Sequence, residues 1–242
     1  MRPVGFSTGA VALGSFSEGL KILAAKGVQS VELSALRFHE LRPLVDALDH
    51  LDLSMFAYIS FHAPSDFTAD NESEVLMLLK RVAARGLSIV VHPDSIHNWS
   101  AWLDLGASVL LENMDKRKST GRTCAELSKC FEQLPSARFC FDLGHARQVD
   151  PSLVEARRIL EQFGSRMAQI HISEVSSGST HERISWPAAV AFASLSKHIP
   201  RGIPVIVESV VHASQVTNEI ERARSSLGEG EFPGVVGVLG AA

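Results

Sequence analysis

Cysteine is scarce in this chain. Three of the 242 residues are cysteine (Cys124, Cys130 and Cys140), and no two of them form a C-x-x-C pair. An odd, sparse set argues against a disulfide framework and reads as reduced thiols in a cytoplasmic protein. Basic residues are also few. Lys and Arg number 23 against 27 Asp and Glu, the net charge is −4, and no long basic block occurs. A duplex-binding surface shows a clear basic excess, so nucleic acid is not an expected partner. No apolar run approaches the roughly 18–20 residues that span a membrane. The opening "MRPVGFSTGAVALGSFSEG" has one Arg and is broken by Gly, Ser and Glu, which makes a poor signal peptide. The closing "FPGVVGVLGAA" reads as a lightly packed end. No G-x-G-x-x-G follows the first apolar run, which disfavours a dinucleotide-binding open sheet, and no organic cofactor is expected.

What the chain does have is alternation. Hydrophobic residues make up 45% and the mean hydropathy is +0.11, enough for a sizeable core. Short apolar or β-branched runs are each followed by a helical pattern. "VGFST" (4–8) leads to "SFSEGLKILAAKG", in which Ser15 and Glu18 form a capping-box pattern and Gly27 a stop. "VQSVEL" (28–33), "YISFHA" (58–63), "LSIVVH" (87–92) and "SVLLEN" (108–113) lead to further helices. "RFCFDL" (138–143) leads to "DPSLVEARRILEQFG", with Asp150 as N-cap and Pro151 in the first turn. "MAQIHIS" (167–173) and "IPVIVES" (203–209) complete the series. Eight strand–helix units at a period of about 30 residues, with no compositional break, predict one (β/α)8 TIM-barrel domain over residues 1–242.

Barrel enzymes work at the C-terminal ends of the strands. The last acids or imidazoles of the runs here are Glu32, His62, His92, Glu112, Asp142, His171 and Glu208, with His145 just beyond Asp142. Seven of the eight runs thus deliver an acid or an imidazole to one level. A lone strand-end acid is most often an N-cap for the next helix. Three carboxylates (Glu112, Asp142 and Glu208) around one mouth are costly unless a cation neutralises them. The mixed nitrogen and oxygen donors suit Zn²⁺, Mn²⁺, Fe²⁺ or Co²⁺ rather than Ca²⁺. One or two divalent ions, Zn²⁺ or Mn²⁺, are therefore expected, with a small-molecule substrate. The "NMDKRKSTGR" segment brings Lys116, Arg117, Lys118 and Arg122 near the mouth, as a solvated loop or as an anchor for a phosphate or carboxylate.

The fragments "SFHAPS", "VVHPD", "LLENMD", "FDLGHA", "QIHISE", "STHERIS" and "VIVES" resemble, in order and spacing, the xylose isomerase-like TIM barrels. That superfamily includes sugar and sugar-phosphate isomerases and epimerases and endonuclease IV. Likeness to the isomerases implies one divalent ion held by Glu112, Asp142, His171 and Glu208. Glu112 and Glu208 would also form the acid/base pair, and His145 would contact substrate oxygens. Glu32, Lys116, Arg117 and Arg183 are expected to face the substrate. Likeness to endonuclease IV implies more metal. His62, His92 and Glu112 would form a first site, the four-residue set a second, and His145 and His181 part of a third. In that third site Ser179 stands where the pattern has Asp. Three functions follow as expectations: a sugar or sugar-phosphate isomerase/epimerase, a metal-dependent phosphoester hydrolase, or a barrel that keeps the cup without turnover. A homo-oligomer is compatible with each.

Overall fold

A computed structural model describes residues 2–231 and 233. Eight strands close a parallel barrel: β1 (Val4–Ser7), β2 (Ser30–Ser34), β3 (Tyr58–His62), β4 (Ser88–Val91), β5 (Val109–Glu112), β6 (Arg138–Asp142), β7 (Met167–Ile172) and β10 (Val205–Val207). Each pairs with its neighbours in chain order, and β10 closes the ring against β1. An antiparallel two-stranded ribbon, β8 (Glu174–Val175) and β9 (His181–Glu182), is inserted after β7. The expected TIM barrel is therefore the fold.

Period-2 alternation explains the layers. Along β6, Phe139 and Phe141 join the main apolar core under the helices, while Cys140 joins a separate small cluster with Val90 and Leu110. Val31 and Leu33, Ile89 and Val91, and Ile170 and Ile172 follow the same outward rule. The alternate residues, among them Glu32, Ser60, Gln169 and His171, are buried polar groups of the barrel interior.

Helix α1 (Thr8–Val11) precedes α2 (Phe16–Ala25), where Ser15 caps the amide of Glu18. Next come α3 (Phe38–Ala47), α4 (Glu72–Ala83) and a 3₁₀ stretch (Trp99–Ser108). Helix α5 is Cys124–Gln133, α8 is Trp186–Leu195 and α9 is Val216–Ser226. The sixth unit differs from expectation. A short α6 (Leu143–Val149) starts directly after β6, and the longer helix α7 (Val154–Phe163) begins only at Val154. Asp150 spends its carboxylate on the amides of Ser152 and Glu155 across a turn, and Leu153 takes φ 60. Pro151 lies in that turn, not in a helix. All three cysteines are free. No helix among the described residues is long and apolar enough to cross a membrane. The tail read as a lightly packed end lies outside the described residues but for Pro233.

Candidate metal centre at the strand C-termini

The strand-end acids and imidazoles meet. Glu112 sits at the middle. His171 Nδ1 lies 3.0 Å from its Oε1, and His92 Nε2 and His62 Nε2 lie 3.3 and 3.5 Å from its Oε2. The same His171 Nδ1 is 3.3 Å from Glu208 Oε2. His145 Nδ1 is 3.6 Å from Glu112 and 3.7 Å from Asp142. His181 Nδ1 is 3.7 Å from Glu208 and 2.8 Å from Ser173 Oγ.

Local chain geometry sets these positions. Asp142 N-caps α6: its Oδ1 accepts from the His145 amide at 2.6 Å. That bond points Oδ2 elsewhere, and Oδ2 is buried with no hydrogen-bond partner. Asn113 clamps the same peptide, accepting from the Asp142 amide and donating to its carbonyl, both at 2.8 Å. Its own carbonyl lies 3.0 Å from His145 Nδ1. Gly144 lets α6 lie this close to β7, because a Cβ there would stand 2.5 Å from the Ser173 carbonyl. The β8–β9 ribbon carries His181 back over the cup.

The donor set fits a cation. Glu112, Asp142, His171 and Glu208 each offer an atom within 4.8 Å of the others, and so do His62, His92 and Glu112. Asp142, His145 and His181 form another such set, and Glu32, His62, His171 and Glu208 one more. Glu112 Oε2 and Asp142 Oδ2 are both buried without hydrogen-bond partners, which is costly unless something positive meets them.

Electrostatics make the same point. Burial, then the charges of Glu112 and Glu208, push Asp142 well above the ordinary carboxylate range. Burial also opposes ionisation of Glu112, but His171, His62 and His92 hold it well below that range. Glu208 is likewise held low, its burial outweighed by His171 and His181. Burial disfavours a charged His62, yet Glu112, Glu32 and Glu208 raise it to about 9. Burial and the neighbouring His62 and Lys118 lower His92, against Glu112. With no metal, protons on His62 and His171, both raised, do the neutralising.

Beneath the cup runs a second polar layer, of which sequence reading singled out Glu32 but not Ser60, Gln169 or Tyr58. Glu32, with no solvent exposure, lies 3.1 Å from His171 Nε2. Ser60 and Gln169 donate to the same Glu32 oxygen at 3.0 and 2.6 Å, and Tyr58 donates to Gln169 at 2.8 Å. Gln169 stands two residues before His171 on β7, so alternation alone would have put both on the inner face. Glu32 was expected at the substrate; its carboxylate is engaged with His171 in the buried interior of the barrel. Lys116 and Arg117 are exposed, Arg117 beside Asp115, and Arg183 is turned to Glu219 at 3.6 Å. Ser179, with φ 58, donates to Asp115 at 2.5 Å. A carboxylate from the loop after β5 thus stands near the position where Ser replaces Asp.

No family model matches the chain, and no curated protein matches it. Solved structures do. The apo form of 3-keto-D-glucoside 4-epimerase YcjR from E. coli aligns with a TM-score of 0.56 at 15% identity, covering 94% of this chain and 98% of that one. A putative sugar phosphate isomerase/epimerase from Anabaena variabilis aligns with a TM-score of 0.56 at 14% identity, covering 91% and 88%. SacUVDE aligns with a TM-score of 0.53 at 14% identity, covering 95% and 100%. The fold is shared. At these identities the likeness speaks of architecture, and the chemistry has to be argued from this chain's own residues.

Proposed function

We propose that this barrel is a divalent-metal-dependent isomerase or epimerase of a sugar or sugar phosphate, moving a proton at the carbon beside a carbonyl. One observation carries the reading: Glu112, Asp142, His171 and Glu208, from the ends of β5, β6, β7 and β10, converge with ligand atoms within 4.8 Å of one another. A Zn²⁺ or Mn²⁺ ion held by these four supplies Lewis-acid polarisation of a carbonyl oxygen. Glu112 and Glu208 both line the cavity above the cup, placed to take a carbon-bound proton and return it. His145 also lines it. With Nδ1 engaged by Asn113, its Nε2 is the nitrogen available to a substrate oxygen. The sugar-processing names of two structural neighbours support this class of substrate.

The test has two parts. Elemental analysis of the purified, reconstituted protein is expected to find about one metal per chain, lost in Glu112→Gln. Incubation with ketoses and aldoses in D₂O is expected to place deuterium beside the carbonyl. Unchanged metal content in Glu112→Gln would end this assignment. A second reading, phosphoester hydrolysis, is favoured by the His62, His92 and Glu112 set, which shares Glu112 with the first. Two ions per chain, with the second lost in a His62→Ala/His92→Ala double variant, would support it.

A further inference from the structure

The cavity above the cup has two unlike walls. One is the cup itself. The other is built by the segments after β1, β2 and β10 and is mainly apolar: Ala10, Leu13, Leu36 and Val210, with Ser7 and Gly9 beside them. Leu13 is 68% exposed and Val210 62%, among the most exposed large hydrophobic residues described. Leu36 lies across Gly9, where a Cβ would stand 2.8 Å from its Cδ1. Hydrophobic side chains held open to solvent beside a charged cup are explained by a ligand that covers them.

Charge is the second observation. Among the described residues, no lysine or arginine lines this cavity. The nearby basic groups face acids instead. Lys118 meets Asp94 at 3.2 Å, Arg147 meets Glu174 at 3.0 Å, Arg117 lies 3.6 Å from Asp115 and Arg183 3.6 Å from Glu219. A phosphate ester would add about −1.5 to −2 charge beside a carboxylate-rich cup with no lysine or arginine in the wall to receive it. Size is the third. The cavity holds about 170 Å³, below the ~300–1,000 Å³ of sites for drug-sized ligands. It suits one monosaccharide-sized molecule.

We propose that the substrate is an unphosphorylated monosaccharide-sized hydroxycarbonyl compound. Its oxygens face the cup, and its C–H face or a deoxy end rests on Leu13, Leu36 and Val210. This inference rests on the isomerase/epimerase reading and narrows it.

The test is binding, which needs no turnover. The full chain is loaded with Zn²⁺ and its zinc content measured. D-fructose and D-fructose 6-phosphate are then titrated against it with ligand-observed saturation-transfer NMR. Fructose is expected to bind at least about tenfold more tightly than its 6-phosphate. A Leu13→Asn/Val210→Asn variant, altered only at exposed positions, is expected to keep zinc and bind fructose at least about fivefold more weakly. Leu36→Arg is expected to move the preference toward the 6-phosphate. The inference is overturned if the 6-phosphate binds as tightly as fructose or tighter, or if the Asn double variant binds fructose unchanged. Zinc retained with neither sugar bound also overturns it, and leaves the metal assignment standing. Absence of zinc binding overturns the reading it rests on, and the inference with it.

Discussion

The two faces of the same barrel strands carry opposite jobs. On β6 the outward residues Phe139 and Phe141 are fully buried in the apolar core, while the inward Cys140 and Asp142 face a lumen of polar groups. The outer face is one continuous hydrophobic layer. The inner face has only a small plug of Val90, Leu110 and Cys140, with charged and amide side chains around it. Stability is therefore concentrated outside and chemistry inside. The inner layer is a cost the outer one offsets, because the buried, unmatched Asp142 carboxylate disfavours the metal-free fold. The comparison breaks if substitutions outside alter metal binding, or if substitutions inside unfold the barrel.

The largest expected effect is outside. Phe139 packs between Phe131, Phe141 and Phe163. Phe139→Ala is expected to cost ~3–5 kcal/mol in denaturant unfolding. Metal stoichiometry of the protein that remains folded is expected to be unchanged; a lost metal would mean that core and cup are one unit.

A smaller effect is expected from inside. Glu32 lies against His171 Nε2 while Nδ1 faces Glu112, a placement that predicts a positioning role, setting the ring and its proton. Glu32→Gln is expected to weaken metal binding about 10–100-fold and to destabilise the metal-free protein, by less than the outer substitution, because His171 loses its buried carboxylate partner. Competition with a chelator reads the first, and thermal unfolding in EDTA the second. Equal metal affinity would reduce Glu32 to a structural residue.

Much of this division was legible beforehand, for a physical reason. Strand-end acids and imidazoles announce themselves because period-2 alternation fixes which residues share the lumen and the barrel fixes their height. Asp142 satisfied both readings at once, one oxygen capping α6 and the other unmatched in the cup. What escaped lies where no period exists. The β8–β9 ribbon is two residues per strand, too short for a pattern, yet it positions His181. The α7 start was missed because Asp150 serves a turn rather than a cap. The apolar wall of Leu13, Leu36 and Val210 comes from three separate loops that only the folded chain brings together.

Acidity offers a finer contrast. His62, raised to about 9, contributes stability to the metal-free fold that is complete below about pH 6.5 and is lost as pH rises through 9. His171 is raised as well, and Asp142 is disfavoured once ionised, so both act in the same direction. His92 is lowered and partly offsets them. Glu112 and Glu208, held low, change stability only under acid conditions. Metal must displace the same protons, so its binding strengthens over the same range. Melting temperatures taken with EDTA and with Zn²⁺ between pH 6 and 9 are expected to diverge as pH rises. Parallel curves would mean that metal does not displace the protons of these imidazoles.

The smallest effect isolates the plug. Cys140 is fully buried, and burial pushes its thiol far above the ordinary range, so it behaves as a small, inert hydrophobic group. It nonetheless lies 3.8 Å from the Gln169 amide that supports Glu32. Cys140→Ala is expected to cost ~1 kcal/mol in unfolding and to leave zinc content and affinity unchanged. Thiol reagents are expected to label the more accessible Cys124 first in the native protein. If zinc affinity falls in Cys140→Ala, the plug holds Gln169 and Glu32 in place, and the apolar and polar parts of the lumen act as one positioning layer beneath the metal.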